Sequence, residues 1–286
     1  MRKLLAIFSL IVLGSQLSQT AVGGEVSEHR LYSPVLGADL VYSLYTPDSY
    51  DQGSQRYPVL YLLHGNLGDH RSWIEAGNIQ ATIEGLVNEG KLTEQLLVIP
   101  ADPRFWWADD EQTRMLSALV EDLIPHVDDS YRTIAARSGR TLAGYSAGGF
   151  GTVNIALQHP ELFAAAAALS PAVYAPVPPS DSSATRQDTF LTAGEFDPER
   201  WARRNWVSFI DDYKASGSIV PFYINSGDHD RFDIAYHAAV FYQALREHQP
   251  RRVELRIFDG DHNFDAWGGS IGDAMQYMNA YIQSVQ

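Results

Sequence analysis

Arg140-Thr-Leu-Ala-Gly144-Tyr-Ser146-Ala-Gly148-Gly-Phe-Gly151 is the stretch that decides how the rest of the chain is read. Thr141, Leu142 and Ala143 form a short apolar run suited to a buried strand, and the run breaks at Gly144. A helical pattern starts just past Ser146 and continues through Val153, Ile155, Ala156 and Leu157. The G-x-S-x-G between them therefore lies in the strand–turn–helix setting of a nucleophile elbow. So sharp a turn strains the central serine, and a glycine two residues to either side removes side chains that would collide. The Ser146 hydroxyl then projects above the sheet edge, near the positive end of the following helix.

The pattern alone is weak, because Gly268-Gly-Ser270-Ile-Gly272 matches it as well. That copy follows Asp265-Ala-Trp267 with no apolar strand before it, and reads as a loop leading into the last helix. Context selects Ser146.

Outward from the elbow, strands and helices alternate. Arg30 to Tyr32 and Ala38 to Tyr45 alternate apolar and polar residues around Pro34 and Gly37, which predicts an antiparallel hairpin. Pro58 to Leu63 is a continuous apolar run, fitting a central strand covered on both faces, and ends in His64-Gly65-Asn66. A helix is predicted over Ile79 to Asn88, a strand over Leu96 to Ile99, and a helix from about Glu111 to Ile124. Beyond the elbow helix come a strand (Phe163 to Leu169), a helix (Trp201 to Ala215), a strand (Ile219 to Ile224) and a helix (Ile234 to Glu247). The strand Val253 to Phe258 and a helix over about Ile271 to Ile282 close the chain. Residues 170–198, with Pro171, Pro176, Pro178 and Pro179, form one long irregular segment, the size of a lid or substrate-binding insertion. This order predicts a doubly wound, mostly parallel α/β sheet with an antiparallel hairpin at its start.

Composition adds limits. The 286 residues are 45% hydrophobic and 20% charged, enough for a sizeable core. Arg2 and Lys3 precede an apolar run from Leu4 to Leu13, and Ala21-Val-Gly23 offers small residues for cleavage. Residues 1–23 thus read as a secretory signal peptide, the run being about half the length a membrane span requires. Residues 24–286 then form one domain of formal charge −16, against −14 for the whole sequence. That acidity argues against nucleic acid or an anionic membrane as partner. With no cysteine in the chain, neither disulfides nor a cysteine-linked lipid anchor is expected.

In such sheets ligands sit at the carboxyl ends of the strands. His64–Asp69, Asp102–Trp107, Ser146, Gly227–Asp230 and Asp259–His262 all fall there. A serine hydroxyl needs a base, itself oriented by a carboxylate, and here the chain order is nucleophile, acid, histidine. His229, His237, His248 and His262 follow Ser146. His229 comes too early for the base, and His237 and His248 belong to a helix and read as solvated. His262, just past the last strand, is the predicted base. Asp228, Asp230 and Asp233 all compete for the acid; Asp230 is favoured, because Gly227 leaves its carboxylate room to turn back, and Asp228 is second. Three adjacent residues seldom converge on one ion, so Asp228-His229-Asp230 is not read as a metal site, and no cofactor is expected. Backbone N–H groups of Ala147 and Asn66 are the predicted oxyanion donors. Phe105, Trp106 and Trp107 could stack on an aromatic acyl group or sugar, or equally cap the core.

Taken with Tyr57-Pro-Val-Leu-Tyr-Leu-Leu-His-Gly65, Val98-Ile-Pro100, Tyr131-Arg-Thr-Ile, Gly227-Asp-His-Asp230, Gly260-Asp-His262 and Trp267, the elbow resembles an esterase family. Its members include esterase D (S-formylglutathione hydrolase), xylanase-associated feruloyl esterases, enterochelin esterases and the antigen 85 mycolyltransferases. The resemblance runs from about Arg30 to the C-terminus. It implies an α/β-hydrolase fold, triad roles for Ser146, Asp230 and His262, and an oxyanion hole at Asn66 and Ala147. Two positions depart from it: Ala147 stands where many members have Met, and Phe264 where many have Trp. The reading is a secreted or periplasmic serine esterase acting on short-acyl or hydroxycinnamoyl esters of small molecules or carbohydrates. Acyl transfer to a sugar or lipid alcohol is the alternative within enzymes. A catalytically silent carbohydrate- or partner-binding protein is the alternative outside them.

Overall fold

The computed structural model describes residues 23–285 apart from Phe105, so the proposed signal peptide, all but its last residue Gly23, lies outside the described residues. Ten strands are formed among the described residues: β1 (Glu25–Ser33), β2 (Ala38–Thr46), β3 (Val59–Leu63), β4 (Leu96–Pro100), β5 (Arg140–Tyr145), β6 (Ala165–Leu169), β7 (Leu191–Thr192), β8 (Glu195–Phe196), β9 (Phe222–Gly227) and β10 (Val253–Phe258). Eight of them make one sheet in the order β1-β2-β4-β3-β5-β6-β9-β10, while β7 and β8 form a small separate hairpin. β2 pairs antiparallel with β1 and β4, and every other neighbouring pair in the large sheet is parallel. The doubly wound α/β sheet with its antiparallel opening hairpin is therefore the architecture observed.

Why the central strands read as unbroken apolar runs follows from their two covered faces. Leu60 and Leu62 of β3 pack on one face against Ile79 and Ile83 of the helix Ile79–Asn88 and Ile271 and Met275 of the helix Phe264–Asn279. Tyr61 and Leu63 point to the other face, toward Met115, Leu119 and Ile155. Successive side chains of a strand face opposite ways, so a strand sandwiched between two helical layers must be apolar at every position.

Several boundaries differ from expectation, β1 starting five residues before Arg30 among them. The helix expected over Glu111 to Ile124 occupies residues 115–130 instead. Its start is delayed because the Asp110 carboxylate accepts from the N–H groups of Gln112 and Thr113, at 2.8 Å each, and holds those residues in a turn. The single helix expected over Trp201 to Ala215 is broken into Pro198–Arg203 and Ile210–Ser216, with a 3₁₀ turn at Trp206–Ser208. β9 begins at Phe222 rather than Ile219. The last helix starts at Phe264, seven residues early, where the Asn263 side chain caps it by accepting from the Ala266 N–H at 3.1 Å. Gly268-Gly-Ser270-Ile-Gly272 is thus the interior of a helix and not a loop, and Ser270 is buried, its hydroxyl donating to the Ala266 carbonyl at 2.7 Å.

Residues 170–198 are packed in. Ala172, Tyr174, Ala184 and Phe190 join Trp106, Phe150 and Trp201 in one apolar cluster on the strand-end side of the elbow helix. Among the described residues, no helix is long and apolar enough to cross a membrane.

Candidate active site

β5 delivers the chain to Ser146, whose backbone is held at φ 55°, ψ −118° before the helix Ala147–Gln158 begins. This is a region L-residues rarely adopt, and its cost is offset by bonds at the same residue. The Ser146 N–H donates to the Leu169 carbonyl at 2.9 Å, and its carbonyl accepts from Phe150 at 2.9 Å and Ala172 at 3.0 Å. The glycines are required by contact. A Cβ on Gly144 would lie 2.5 Å from the Gly148 carbonyl oxygen, and one on Gly148 would lie 2.5 Å from that of His64. Helix, strand and the β3-end loop meet too closely here for any side chain.

The turns after β9 and β10 bring the other groups in. His262 Nε2 lies 2.9 Å from Ser146 Oγ, and His262 Nδ1 lies 2.6 Å from Asp230 Oδ2. Nδ1 carries a proton donated to the carboxylate, so Nε2 is the acceptor facing the serine hydroxyl. Asp230 is buried, and its other oxygen accepts from the Phe232 N–H at 3.1 Å. The imidazole is held between ring edges, with Phe232 at 5.0 Å and Trp267 at 4.9 Å between centroids. Asp228 faces elsewhere: it accepts from the Gly260 N–H at 3.2 Å and pairs with the exposed His229 at 2.8 Å. Asp259 approaches the same His229 at 3.4 Å, on the surface.

The loop after β3 lies against the elbow, since a Cβ on Gly65 would be 3.1 Å from that of Ser146. Asn66 follows in a turn closed by Gly68 N–H to Gly65 C=O at 3.0 Å. Ala147 is the first residue of its helix, so its N–H has no acceptor within the helix. His64 holds the loop from below: its Nε2 accepts from the Asp102 N–H at 2.9 Å, and its Nδ1 donates to the Gly65 carbonyl at 2.8 Å. Burial pushes His64 down to about 4, so the ring is neutral near pH 7.

Two of the three loop aromatics do not reach the site. Trp107 is fully buried, donating its indole N–H to the His64 carbonyl at 2.8 Å and its backbone N–H to Asp102 at 2.6 Å. Trp106 lies in the apolar cluster against Phe150, Phe190 and Trp201. Substrate stacking on this pair is corrected to core packing, because both rings are enclosed by protein. Phe105 lies outside the described residues. His237 and His248, expected to be solvated, are also engaged: His237 is buried and accepts from the Ala175 N–H at 3.2 Å, and His248 bonds the Ser218 carbonyl at 2.9 Å.

Above Ser146 and His262 opens a cleft of about 480 Å³. Its lining includes an aromatic group in mutual contact, Tyr145, Phe264 and Trp267, together with Asp181, Ser183 and Arg186 of the insertion and Arg231 and Phe232. The segment 170–198 is expected from the sequence as a lid or substrate-binding insertion, but nothing local singles out Asp181, Ser183 or Arg186 within it, and Arg231 goes unmarked although it directly follows Asp230.

Residues 33–278 match the family described as "Putative esterase". A ferulic acid esterase structure is similar, with TM-score 0.78 and 25% identity, covering 91% of this chain and 99% of that one. An S-formylglutathione hydrolase from Agrobacterium tumefaciens gives TM-score 0.74 at 22% identity, with 92% and 98% covered. In sequence, an endo-1,4-beta-xylanase/feruloyl esterase from Xylanibacter ruminicola is 30% identical over 176 residues, 57% of this chain and 24% of that protein. The chain spans well under half the length of the curated relatives it matches. With a matching family over most of its length and α/β-hydrolase esterases as structural neighbours, the chain belongs to this esterase family.

Proposed function

We propose that the protein is a serine carboxylic-ester hydrolase working through Ser146, His262 and Asp230 by way of an acyl-enzyme. The observation that carries the reading is the unbroken relay from Ser146 Oγ to His262 at 2.9 Å and on to Asp230 at 2.6 Å. Ser146 Oγ attacks the ester carbonyl carbon while His262 Nε2 takes its proton; Asp230 keeps the imidazole in the required tautomer and stabilises the imidazolium. The N–H groups of Ala147 and Asn66 receive the oxyanion. As the tetrahedral adduct collapses, His262 returns the proton to the departing alkoxide and the alcohol leaves. Water then attacks the acyl-enzyme, its proton going to His262, and the carboxylic acid is released with Ser146 restored.

The aromatic part of the cleft lining supports short-acyl or hydroxycinnamoyl esters as substrates, as do relatives named feruloyl esterases. The composition of residues 1–23 supports export from the cytoplasm. The test is turnover of a panel of p-nitrophenyl esters and methyl hydroxycinnamates by wild type and Ser146→Ala. Hydrolysis that falls on the order of a millionfold in kcat in the variant is expected. Equal turnover by both proteins would refute the assignment.

A further inference from the structure

We infer that the cleft selects esters carrying an anionic group, held by the guanidinium groups of Arg186 and Arg231. This rests on the esterase reading of the same site and names its substrate class. The chain has 35 acidic against 21 Lys and Arg residues, so a cationic cleft wall runs against its composition. Three arginines of the adjoining segments are paired: Arg104 with Asp110 at 3.4 Å, and Arg200 and Arg204 with Glu111 at 2.6 and 3.3 Å. Arg186 and Arg231 are different. Among the described residues, neither has a carboxylate within 4.0 Å, although Asp181 shares the lining.

Both guanidinium groups are steered by neighbours that leave most of their N–H donors unused. Arg186 ends the 3₁₀ turn Ser183–Arg186 and donates to the Asp181 carbonyl at 3.3 Å. Arg231 lies over the Phe232 ring, 4.7 Å from its centroid, and that ring in turn meets His262. Guanidinium offers planar, paired donors that match carboxylate, sulfate or phosphate. A bound ester would therefore rest its apolar part on Phe264 and Trp267 and point its anion toward the insertion. The anion can belong to the acyl or to the alcohol part, and the chemistry of recognition is the same.

The experiment measures kcat/KM for two matched pairs with the full protein. Mono-4-nitrophenyl glutarate against 4-nitrophenyl pentanoate tests an anionic acyl group. 4-Acetoxybenzoate against its methyl ester tests an anionic alcohol part. The expected result is a preference of about tenfold for the anionic member of one pair. The preference should shrink as salt rises from roughly 0.01 to 1 M and the screening length falls from about 30 to about 3 Å. Arg186→Gln and Arg231→Gln should each lower the anionic-to-neutral ratio about threefold, and Arg186→Lys, which keeps the charge but loses the paired donors, should fall between wild type and Arg186→Gln. The ratio is the readout because a folding defect scales both members of a pair alike. Neutral esters turned over as well as the anionic ones in both pairs, or a ratio unmoved by either Gln variant, would overturn the inference and leave the esterase standing. No turnover of any of the four would remove both.

Discussion

His262 is bonded to Asp230 and not to Asp228, two residues earlier: Nδ1 meets the Asp230 carboxylate at 2.6 Å, while Asp228 accepts from the Gly260 N–H. Both aspartates follow the same strand, and only Asp230 meets the imidazole, so in the proposed mechanism only it orients the base. Asp230→Asn should lower kcat about 10⁴-fold, by presenting an N–H donor to Nδ1 and forcing the wrong tautomer. Asp228→Asn should change kcat less than about threefold, since an exposed carboxylate contributes little there. Steady-state kinetics of the two variants on one ester checks both.

The two G-x-S-x-G copies predict opposite responses to a methyl group. Gly148→Ala drives a Cβ to within 2.5 Å of a fixed carbonyl oxygen and should cost about 1–3 kcal/mol. Gly269→Ala, exposed inside a helix with nothing within 4 Å of the added carbon, should stabilise by about 0.5–1 kcal/mol. Urea unfolding of both variants separates the elbow from its decoy by sign.

His64 predicts a loss of stability in acid. Its folded value, about 4, lies below the ordinary 6.5 of an unfolded histidine. Between those values the unfolded chain binds the extra proton, so stability is complete above about pH 6.5 and falls as pH drops toward 4. The group's full contribution is about 3 kcal/mol. Burial lowers His126 and His237 as well, which adds to the trend with the same sign. Protonated His64 would point an N–H at the Asp102 N–H that Nε2 now accepts. Unfolding free energies from pH 7.5 to 4.5 should fall more steeply for wild type than for His64→Gln.

Trp106→Ala should cost about 3–5 kcal/mol, as removal of a large buried ring from a packed cluster does. A substrate-stacking role predicts instead a raised KM at unchanged stability. Thermal unfolding and KM measured on the same preparation decide between them.

What could be read in the sequence was what neighbouring residues encode. The elbow, the unbroken apolar strands and the order of reactive side chains at strand ends are local patterns, and the sheet assembled from them as expected. Where reading went astray, tertiary contacts outweighed local preference. Gly268 and Gly269 discourage a helix, yet Trp267, Ile271, Ala274, Met275 and Met278 form a buried stripe that holds one together. Trp106 and Trp107 stand at a strand end like binding residues, and Trp106 is enclosed by rings distant in the chain, Phe150, Phe190 and Trp201. Arg186 and Arg231 meet on one cleft through chain folding alone.

Trapping the acyl-enzyme tests Ser146 as the nucleophile. The protein is mixed with excess 4-nitrophenyl acetate, quenched in acid within the first turnover, and mapped by peptide mass spectrometry. One acetyl group per chain is expected, on the peptide containing Ser146, and none in Ser146→Ala. Ester turnover with the Ser146 peptide unmodified, or an acetyl group retained at another serine in the Ser146→Ala variant, would contradict it.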